Sequence, residues 1–427
     1  MRKSKGLRIE AVALTMTCIA GFTALPGVVA TASAAPTTTI VWYTQQTGTP
    51  MVPDLVKLFE SENPGILVDA HINLGTSNVT RAIYSADLAA GSSTPDVYIE
   101  DQTWPAEAAI NHWAVNLNNV IPKSYLTGIG SELLNGYTYK GELIGIPFFT
   151  DAMMLYYNKD ILAKAHLPVP TTWEQLSSEA KQLQNMKLCK YGLVYFGAVT
   201  EATTMWWTSL ITDAGGASVN PSGTKATVDS SAGLEAMTWL RSTVTSGITP
   251  AAVSTFGNPD PGNVFYEGST AFLAGNAYQW PGAVAAHMQS DVGVTFDPTF
   301  PGGPPHGAAA TGGAADVINP YSKHMAADIK FVEFMTSKQA DEIVARVGHL
   351  APSLTSVQDD PVVDAANPPA ALLPKLTLVN RPAQEDNYPG VTQAIASNVN
   401  AVLAGTETPA GALAKMSSEI NAALKSS

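Results

Sequence analysis

The sequence predicts an α/β fold on a largely parallel sheet, and three observations carry that expectation. Residues 40–99 read strand, helix, strand, helix, strand; the apolar spacing switches between period 2 and helical period; and turn residues such as Asn63-Pro64-Gly65 punctuate the switches. A β-α-β series of this kind uses right-handed crossovers, and open sheets gather ligands beyond the carboxyl ends of their strands. At 427 residues, 45% hydrophobic and 14% charged, the chain is globular and has room for two or three domains.

In chain order, residues 1–34 read as a secretory signal. Arg2, Lys3, Lys5 and Arg8 precede the apolar stretch Ala11 to Ala20, and Ala32-Ser33-Ala34 sets cleavage before Ala35. Two alternatives stay open. One is a membrane anchor, although Pro26, Gly27 and many Thr and Ser interrupt the uncharged stretch. The other is a lipoprotein attached through Cys18, although Thr15 and Thr17 stand where a lipid-attachment box wants Leu and Gly or Ala.

Ile40 to Tyr43 is the first strand, and Val52, Leu55, Val56 and Phe59 share one face of the helix that follows from Pro53 to Glu62. Ile66, Val68, Ala70 and Ile72 alternate as the second strand, a helix spans about Val79 to Ala90, and Val97-Tyr98-Ile99 is the third strand. A hairpin is expected over Gly141 to Pro147, a strand over Met153 to Tyr157 and a short helix over Lys159 to Ala165. Thr171 and Glu174 sit at capping-box spacing, as do Thr172 and Gln175 one residue on, so a helix starts near Trp173. Further helices hold Met205 to Ala214 and Ala232 to Ser246, and Val292 to Phe296 is a strand. Val391, Ile395, Val399 and Val402 keep helical spacing up to Gly405, and Thr408-Pro409 opens a last helix with Leu413, Met416, Ile420 and Leu424 inward.

Charge and motifs exclude several functions. Of 23 Lys and Arg and 36 Asp and Glu, the leader carries four and one, which leaves 19 and 35 and a mature net charge of −16. Nucleic acid is therefore not a partner. Histidines at 71, 112, 166, 287, 306, 324 and 349 show no paired metal spacing, and Cys189, the one mature cysteine, reads as a semi-buried thiol. No nucleophile elbow, P-loop or dinucleotide fingerprint is present, and no cofactor is expected; Gly128-Ile-Gly130 lacks the third glycine. Polar residues instead follow the strand ends: Gln45 and Gln46, Thr76 to Arg81, then Glu100, Asp101 and Trp104. Isolated carboxylates, arginines and tryptophans suit sugars, whose hydroxyls take bidentate partners and whose C–H faces take aromatic rings.

The strings Phe59-Glu-Ser-Glu-Asn-Pro-Gly65, Pro95-Asp-Val97, Leu155-Tyr-Tyr-Asn-Lys-Asp-Ile-Leu162, Pro170-Thr-Thr-Trp-Glu-Gln-Leu176 and Arg381-Pro382 ahead of Tyr388 resemble the extracellular solute-binding proteins of sugar ABC importers. Asp101-Gln-Thr-Trp104, Thr150-Asp-Ala152 and Gln279-Trp-Pro-Gly282 are most similar to the trehalose/maltose-binding branch. The resemblance covers nearly all of the mature chain. It implies a two-lobed periplasmic-binding-protein-like fold of type II with a hinge between lobes. Lobe one would hold 37–149 and 298–347, lobe two 150–297 and 348–427, with crossings near Phe149, Asp297 and Gly348.

It also implies sugar contacts at Thr76, Arg81, Asp101 and Asp151, a stacking ring at Trp280, a close approach at Gly313 and a guanidinium at Arg381. Three positions depart from the branch. Ala314 replaces a Trp, Phe149 replaces a Tyr that donates to the sugar, and Gly48 replaces an acid, leaving Gln45 and Gln46 as polar substitutes. The implied ligand is a di- or oligosaccharide with α linkage, not necessarily trehalose. The implied partners are this ligand and the transmembrane permease subunits of an ABC transporter, for a monomeric, extracytoplasmic protein. Plainer roles remain open: Trp280 in the core, Arg381 bridged to Glu385 or Asp386, Asp101 as a cap. A secreted glycoside hydrolase using Asp101 and Asp151 is the alternative from another class.

Overall fold

The computed structural model describes residues 37–45, 50–73 and 77–425. The leader with Cys18, and the positions Gln46, Gly48 and Thr76, lie outside the described residues. The strands are β1 (Thr38–Gln45), β2 (Ile66–Asn73), β3 (Val97–Asp101), β4 (Thr138–Tyr139), β5 (Glu142–Leu143), β6 (Ile146–Asn158), β7 (Tyr191–Val194), β8 (Thr270–Asn276), β9 (Val292–Thr295), β10 (Ala308–Ile318) and β11 (Thr377–Val379).

One sheet runs β2-β1-β3-β10-β6-β8-β7, with β11 beside β10 and β9 beside β6; β4 and β5 form a separate hairpin. The opening β-α-β-α-β series is present, and β1 pairs parallel with β2 and β3. The middle of the sheet departs from the expected parallel arrangement. β10 runs antiparallel to β3 and β6, and β6 antiparallel to β8. β6 and β10, 13 and 11 residues long, run through from one core to another.

Apolar side chains gather around separate cores. Ile40, Trp42, Phe59, Val97, Phe148 and Phe331 belong to one. Trp173, Trp206, Leu240, Phe272, Val399 and Met416 belong to a second, and Trp280, Phe265 and Leu273 pack on the other face of the strands beside it. Within β6, Ile146, Phe148 and Phe149 face the first core, whereas Met153 and Leu155 face the second and Met154 and Tyr156 the third. A strand covered on both faces reads as an unbroken apolar run, which is what Met153 to Tyr157 shows.

This packing differs from the expected lobe limits. Phe300 and Ala310 pack in the second core, and Leu350, Leu354, Val357, Val363 and Ala370 in the first. β10 itself makes the crossing, since Ala309 and Ala310 lie on one side and Ala314 and Ala315 on the other. Ala351, between Leu350 and Leu354 in the chain, packs instead with the third core, so the expected limits at 297 and 348 do not coincide with these clusters.

Local signals hold in detail. Of the two registers at the helix Trp173–Asn185, the one starting from Thr172 is formed: its Oγ1 accepts from Gln175 N at 3.1 Å. Gly405 ends the helix Tyr388–Ala404 with φ +78°, where a glycine carries no Cβ penalty. Thr408 Oγ1 accepts from Gly411 N to start the helix Pro409–Ala423.

Candidate functional site

The carboxyl end of β3 turns sharply at Asp101. Its Oδ1 accepts from Thr103 N at 3.1 Å and from Thr103 Oγ1 at 2.9 Å, a local turn that sends Gln102 and Trp104 inward. Gln102 Nε2 donates to Asn380 Oδ1 at 3.3 Å. The Trp104 ring, just past the end of β3, packs in the second core, its centroid 6.2 Å from that of Tyr388 in an edge-on arrangement. The Arg81 guanidinium lies 4.5 Å above that ring and forks onto both carboxylate oxygens of Glu107.

Where β6 crosses between cores, Asp151 sits opposite Gly312 of β10. Its Oδ1 accepts from Ala152 N at 2.9 Å and Tyr278 N at 3.2 Å, and its Oδ2 from Asn276 Nδ2 at 2.6 Å. Burial pushes this carboxyl up to about 7, against the pull of those backbone donors and of the Arg381 charge. Beside it, Gly313 has φ +115°, and a Cβ there would stand 2.4 Å from the Phe149 carbonyl oxygen. Only glycine permits this approach of β10 to β6.

Arg381 enters from the segment between β11 and the helix Tyr388–Ala404. Its Nη1 donates to Glu201 Oε1 at 2.7 Å and its Nη2 lies 3.5 Å from Asp101 Oδ1. Glu201 also accepts the Tyr388 hydroxyl and, at 2.6 Å, the Thr392 hydroxyl. Burial lifts the Glu201 carboxyl while Arg381 draws it down. Burial alone would weaken the Arg381 cation, yet Glu201, Tyr388 and Asp101 hold it firmly protonated. Asp101 comes from an element of the first core and Glu201 from the helix Glu201–Asp213 of the second, so one guanidinium joins the two sides.

Around this junction several buried polar atoms have no hydrogen-bond partner: Gln102 Oε1, Trp104 Nε1, Tyr137 OH, Thr150 Oγ1 and Arg381 Nε. Buried polar groups are nearly always satisfied, so a concentration of orphans marks where a polar ligand is received. The space left there is small, lined by Gln102, Gly136, Asn380, Arg381, Ala383 and Gln384.

The structure thus brings together Asp101, Asp151, Gly313 and Arg381 of the expected residues. Arg81 is near but committed to Glu107 and Trp104. Two of the expected residues pack in the cores. Trp280 is 1% exposed, and its Nε1 donates to Ala366 O at 2.9 Å. Phe149 lies in the first core with its ring centroid 5.7 Å from that of Phe148. Arg381 pairs with neither Glu385 nor Asp386. Sequence reasoning missed Glu201 and Asn380, and nothing in their neighbourhoods signals the role; Tyr388 and Gln102 lay within strings already singled out.

A family model described as bacterial extracellular solute-binding protein matches residues 43–342. The chain belongs to this family. A probable ABC transporter-binding protein of Deinococcus radiodurans is 30% identical over 364 residues, 81% of this chain and 83% of that one. Among solved structures, maltose-bound T. maritima MalE3 superposes with a TM-score of 0.82 at 27% identity, covering 90% of this chain and 99% of that one. An ABC transporter solute-binding protein of Thermotoga lettingae bound with α-D-tagatose gives a TM-score of 0.79 at 25% identity, covering 91% of this chain and 100% of that one. The solute-binding protein therefore has the two-lobed α/β fold expected from its sequence. Its family consists of binding proteins rather than enzymes, which removes the glycoside hydrolase alternative. Among the described residues no cluster of three His, Cys, Asp or Glu could hold a metal, and no helix is long and apolar enough to cross a membrane.

Proposed function

We propose that this protein captures a sugar in the seam between its lobes and delivers it to the permease of an ABC importer. The observation that carries the reading is the junction itself: Asp101, Arg381 and Glu201 linked across two cores, ringed by orphaned hydrogen-bonding atoms of Gln102, Trp104, Tyr137 and Thr150. Hydroxyl groups, which both donate and accept, suit such a mixed set. The maltose and tagatose held by the two structural neighbours support the ligand class, and the Deinococcus relative's name supports the transporter partner.

The lobes are 37–149 with 314–370 and 150–310 with 371–427, hinged where β6 pairs with β10. Ligand enters the open form and adds contacts available only in the closed one, the hinge closure for which periplasmic binding proteins are a standard example. The finer choice is a di- or oligosaccharide with α linkage, with Trp104, whose indole nitrogen lacks a partner, supplying the aromatic face that Ala314 and the buried Trp280 do not. Such a ligand, with about 23 heavy atoms at about −0.3 kcal/mol each, gives roughly −7 kcal/mol and micromolar affinity. The protein acts outside the cytoplasm as a monomer after cleavage before Ala35.

A thermal-shift screen of residues 35–427 against mono-, di- and trisaccharides tests this, since a ligand held only by the folded state raises Tm by mass action. A rise with one disaccharide or trisaccharide is expected. No rise with any sugar, together with silent calorimetry, would remove the carbohydrate reading.

A further inference from the structure

Gln102 follows directly on β3 and is 3% exposed. Its amide lies against Gly136, at the end of the helix Ser131–Gly136, where a Cβ would stand 2.0 Å from Gln102 Nε2. Gly136 is therefore the residue that makes room for this amide. Gln102 Nε2 donates to Asn380 Oδ1 at 3.3 Å, whereas Gln102 Oε1 is buried without a hydrogen-bond partner. Gln102 and Arg381 line the same small space, and Arg381 Nε is also buried and unpartnered. One orphaned acceptor and one orphaned donor thus border a single gap.

The direction of the Gln102 amide is fixed from outside the gap. Asn380 opens the segment 380–387, between β11 and the helix Tyr388–Ala404. Glu132 Oε2 can only accept, and it lies 3.5 Å from Asn380 Nδ2, long for a hydrogen bond but enough to decide which end of that amide turns toward it. Asn380 Oδ1 then faces the other way, where it accepts from Thr311 Oγ1 at 2.6 Å and from Gln102 Nε2. Reversing the Gln102 amide would set its oxygen against Asn380 Oδ1, acceptor against acceptor. A carboxylate, an asparagine and a glutamine pass one polarity inward, and an oxygen is what Gln102 has left to offer.

We propose that Gln102 Oε1 accepts a hydrogen bond from one hydroxyl of the bound sugar, with Asn380 as the positioning residue that holds Gln102 in this sense. The inference rests on the capture reading above and concerns the ligand-bound arrangement. A hydroxyl donates and accepts, so the same group can take Arg381 Nε as its second partner. A site built in this way rejects an analogue with no donor at that place, because Gln102 Oε1 is then left buried and unpaired. A structural water is the rival occupant, since buried waters serve unsatisfied polar groups in the same manner.

Isothermal titration of the mature chain with maltose and trehalose, and with monodeoxyfluoro derivatives covering each of their hydroxyls, tests the proposal, with thermal melts alongside. Fluorine takes the place of the hydroxyl but cannot donate. At least one derivative should bind wild type roughly ten-fold or more weakly than its parent sugar. Gln102→Leu should weaken the parent sugar by a similar factor and leave that derivative bound as in wild type, so that the two changes are non-additive. Gly136→Ala, which displaces the amide while keeping Gln102, should act in the same direction. Asn380→Leu, which frees the amide to turn, should shrink the discrimination, whereas Asn380→Asp keeps an acceptor toward Gln102 and should retain it. A Gln102→Leu protein with every wild-type preference, whatever its Tm, gives the space to a structural water and overturns the assignment while capture stands. Undiminished discrimination in Asn380→Leu overturns the positioning role. No affinity for either sugar in any form overturns the assignment together with the α-linked disaccharide; a Tm rise with another class of sugar would then still keep capture.

Discussion

Arg381 Nη1 lies 2.7 Å from Glu201 Oε1, with the arginine side chain 4% exposed and the glutamate 13%. A cation this deeply enclosed depends on its partner, because each charge has given up its water. Glu201 in turn organises the Tyr388 and Thr392 hydroxyls, so one carboxylate holds the base of the 380–387 segment and the arginine that reaches Asp101.

Removing that partner should be costly. Glu201→Ala leaves the guanidinium with Asp101 alone at 3.5 Å, and about 3–5 kcal/mol of stability should be lost, as for other broken buried pairs. Glu201→Gln keeps the shape and one acceptor and should lose less. Urea unfolding of the three proteins measures the difference; an alanine variant within about 1 kcal/mol of wild type would place the pair in effective contact with solvent.

Trp280 should behave as a core residue. Its ring is buried among Phe265, Leu273 and Ala283, and its indole nitrogen is satisfied by Ala366. Trp280→Ala should cost about 3–5 kcal/mol in denaturant unfolding. Ligand selectivity across a sugar panel should be retained by whatever fraction stays folded. Unchanged stability with lost binding would return the ring to the cleft.

These two residues show what the sequence could and could not reveal. Periodicity located the opening β-α-β-α-β series and most helices because a half-buried element repeats its pattern locally. It could not show that Trp280 points inward, since a tryptophan before a proline looks the same in a core and in a cleft. It could not find Glu201 either, whose partners lie 180 and 187 residues away in the chain. Asp101 was legible because it follows a strand end, where topology alone places ligands. The antiparallel centre of the sheet was missed for a similar reason: strand direction follows from where a long segment crosses between cores, which no local pattern records.

Gly313 is a second place where backbone geometry governs. With φ +115° and no room for a Cβ against the Phe149 carbonyl, Gly313→Ala must push β10 away from β6 where the cores exchange. A loss of roughly 1–3 kcal/mol is expected from the left-handed backbone alone. Hydrogen exchange at Thr311 to Ala315 should quicken selectively. Protection equal to wild type at these amides would mean that the strands accommodate the methyl group.

Asp151 gives a pH signature. Its folded value of about 7 lies above the ordinary 3.8, so between about pH 4 and 7 the folded protein keeps a proton that the unfolded chain has released. The sign follows: stability falls as pH rises through that window, by up to about 1.4 kcal/mol per pH unit for one proton. Asp316 and Asp341 are also pushed by burial to about 7 and add to the wild-type slope. Asp151→Asn should remove one proton's share of it. Denaturant unfolding at pH 4.5, 5.5 and 6.5, values chosen for about even spacing, reads the slope; identical slopes would show that the three donors around Asp151 keep it ionised.

Asp297 and Asp213 extend the same argument to a pair. Neither oxygen of Asp297 has a hydrogen-bond partner, whereas Asp213 accepts from Ala308 N at 2.6 Å and Trp173 Nε1 at 3.2 Å. Burial pushes both carboxyls well up, and the negative charge of Asp297 pushes Asp213 further. The donors favour charge on Asp213, so Asp297 is the member that holds the proton. The folded state again binds more protons than the unfolded one, and stability is lost as pH rises from about 4 toward the folded value of Asp297. Asp297→Asn puts a neutral group there at every pH. It should come nearest to wild type at about pH 4, where the unfolded aspartate is also largely protonated, and gain on it as pH rises by up to about 1.4 kcal/mol per pH unit until the folded aspartate ionises. Parallel stability profiles for the two proteins across that range would instead mean that Asp297 ionises in the folded protein as it does in the unfolded chain.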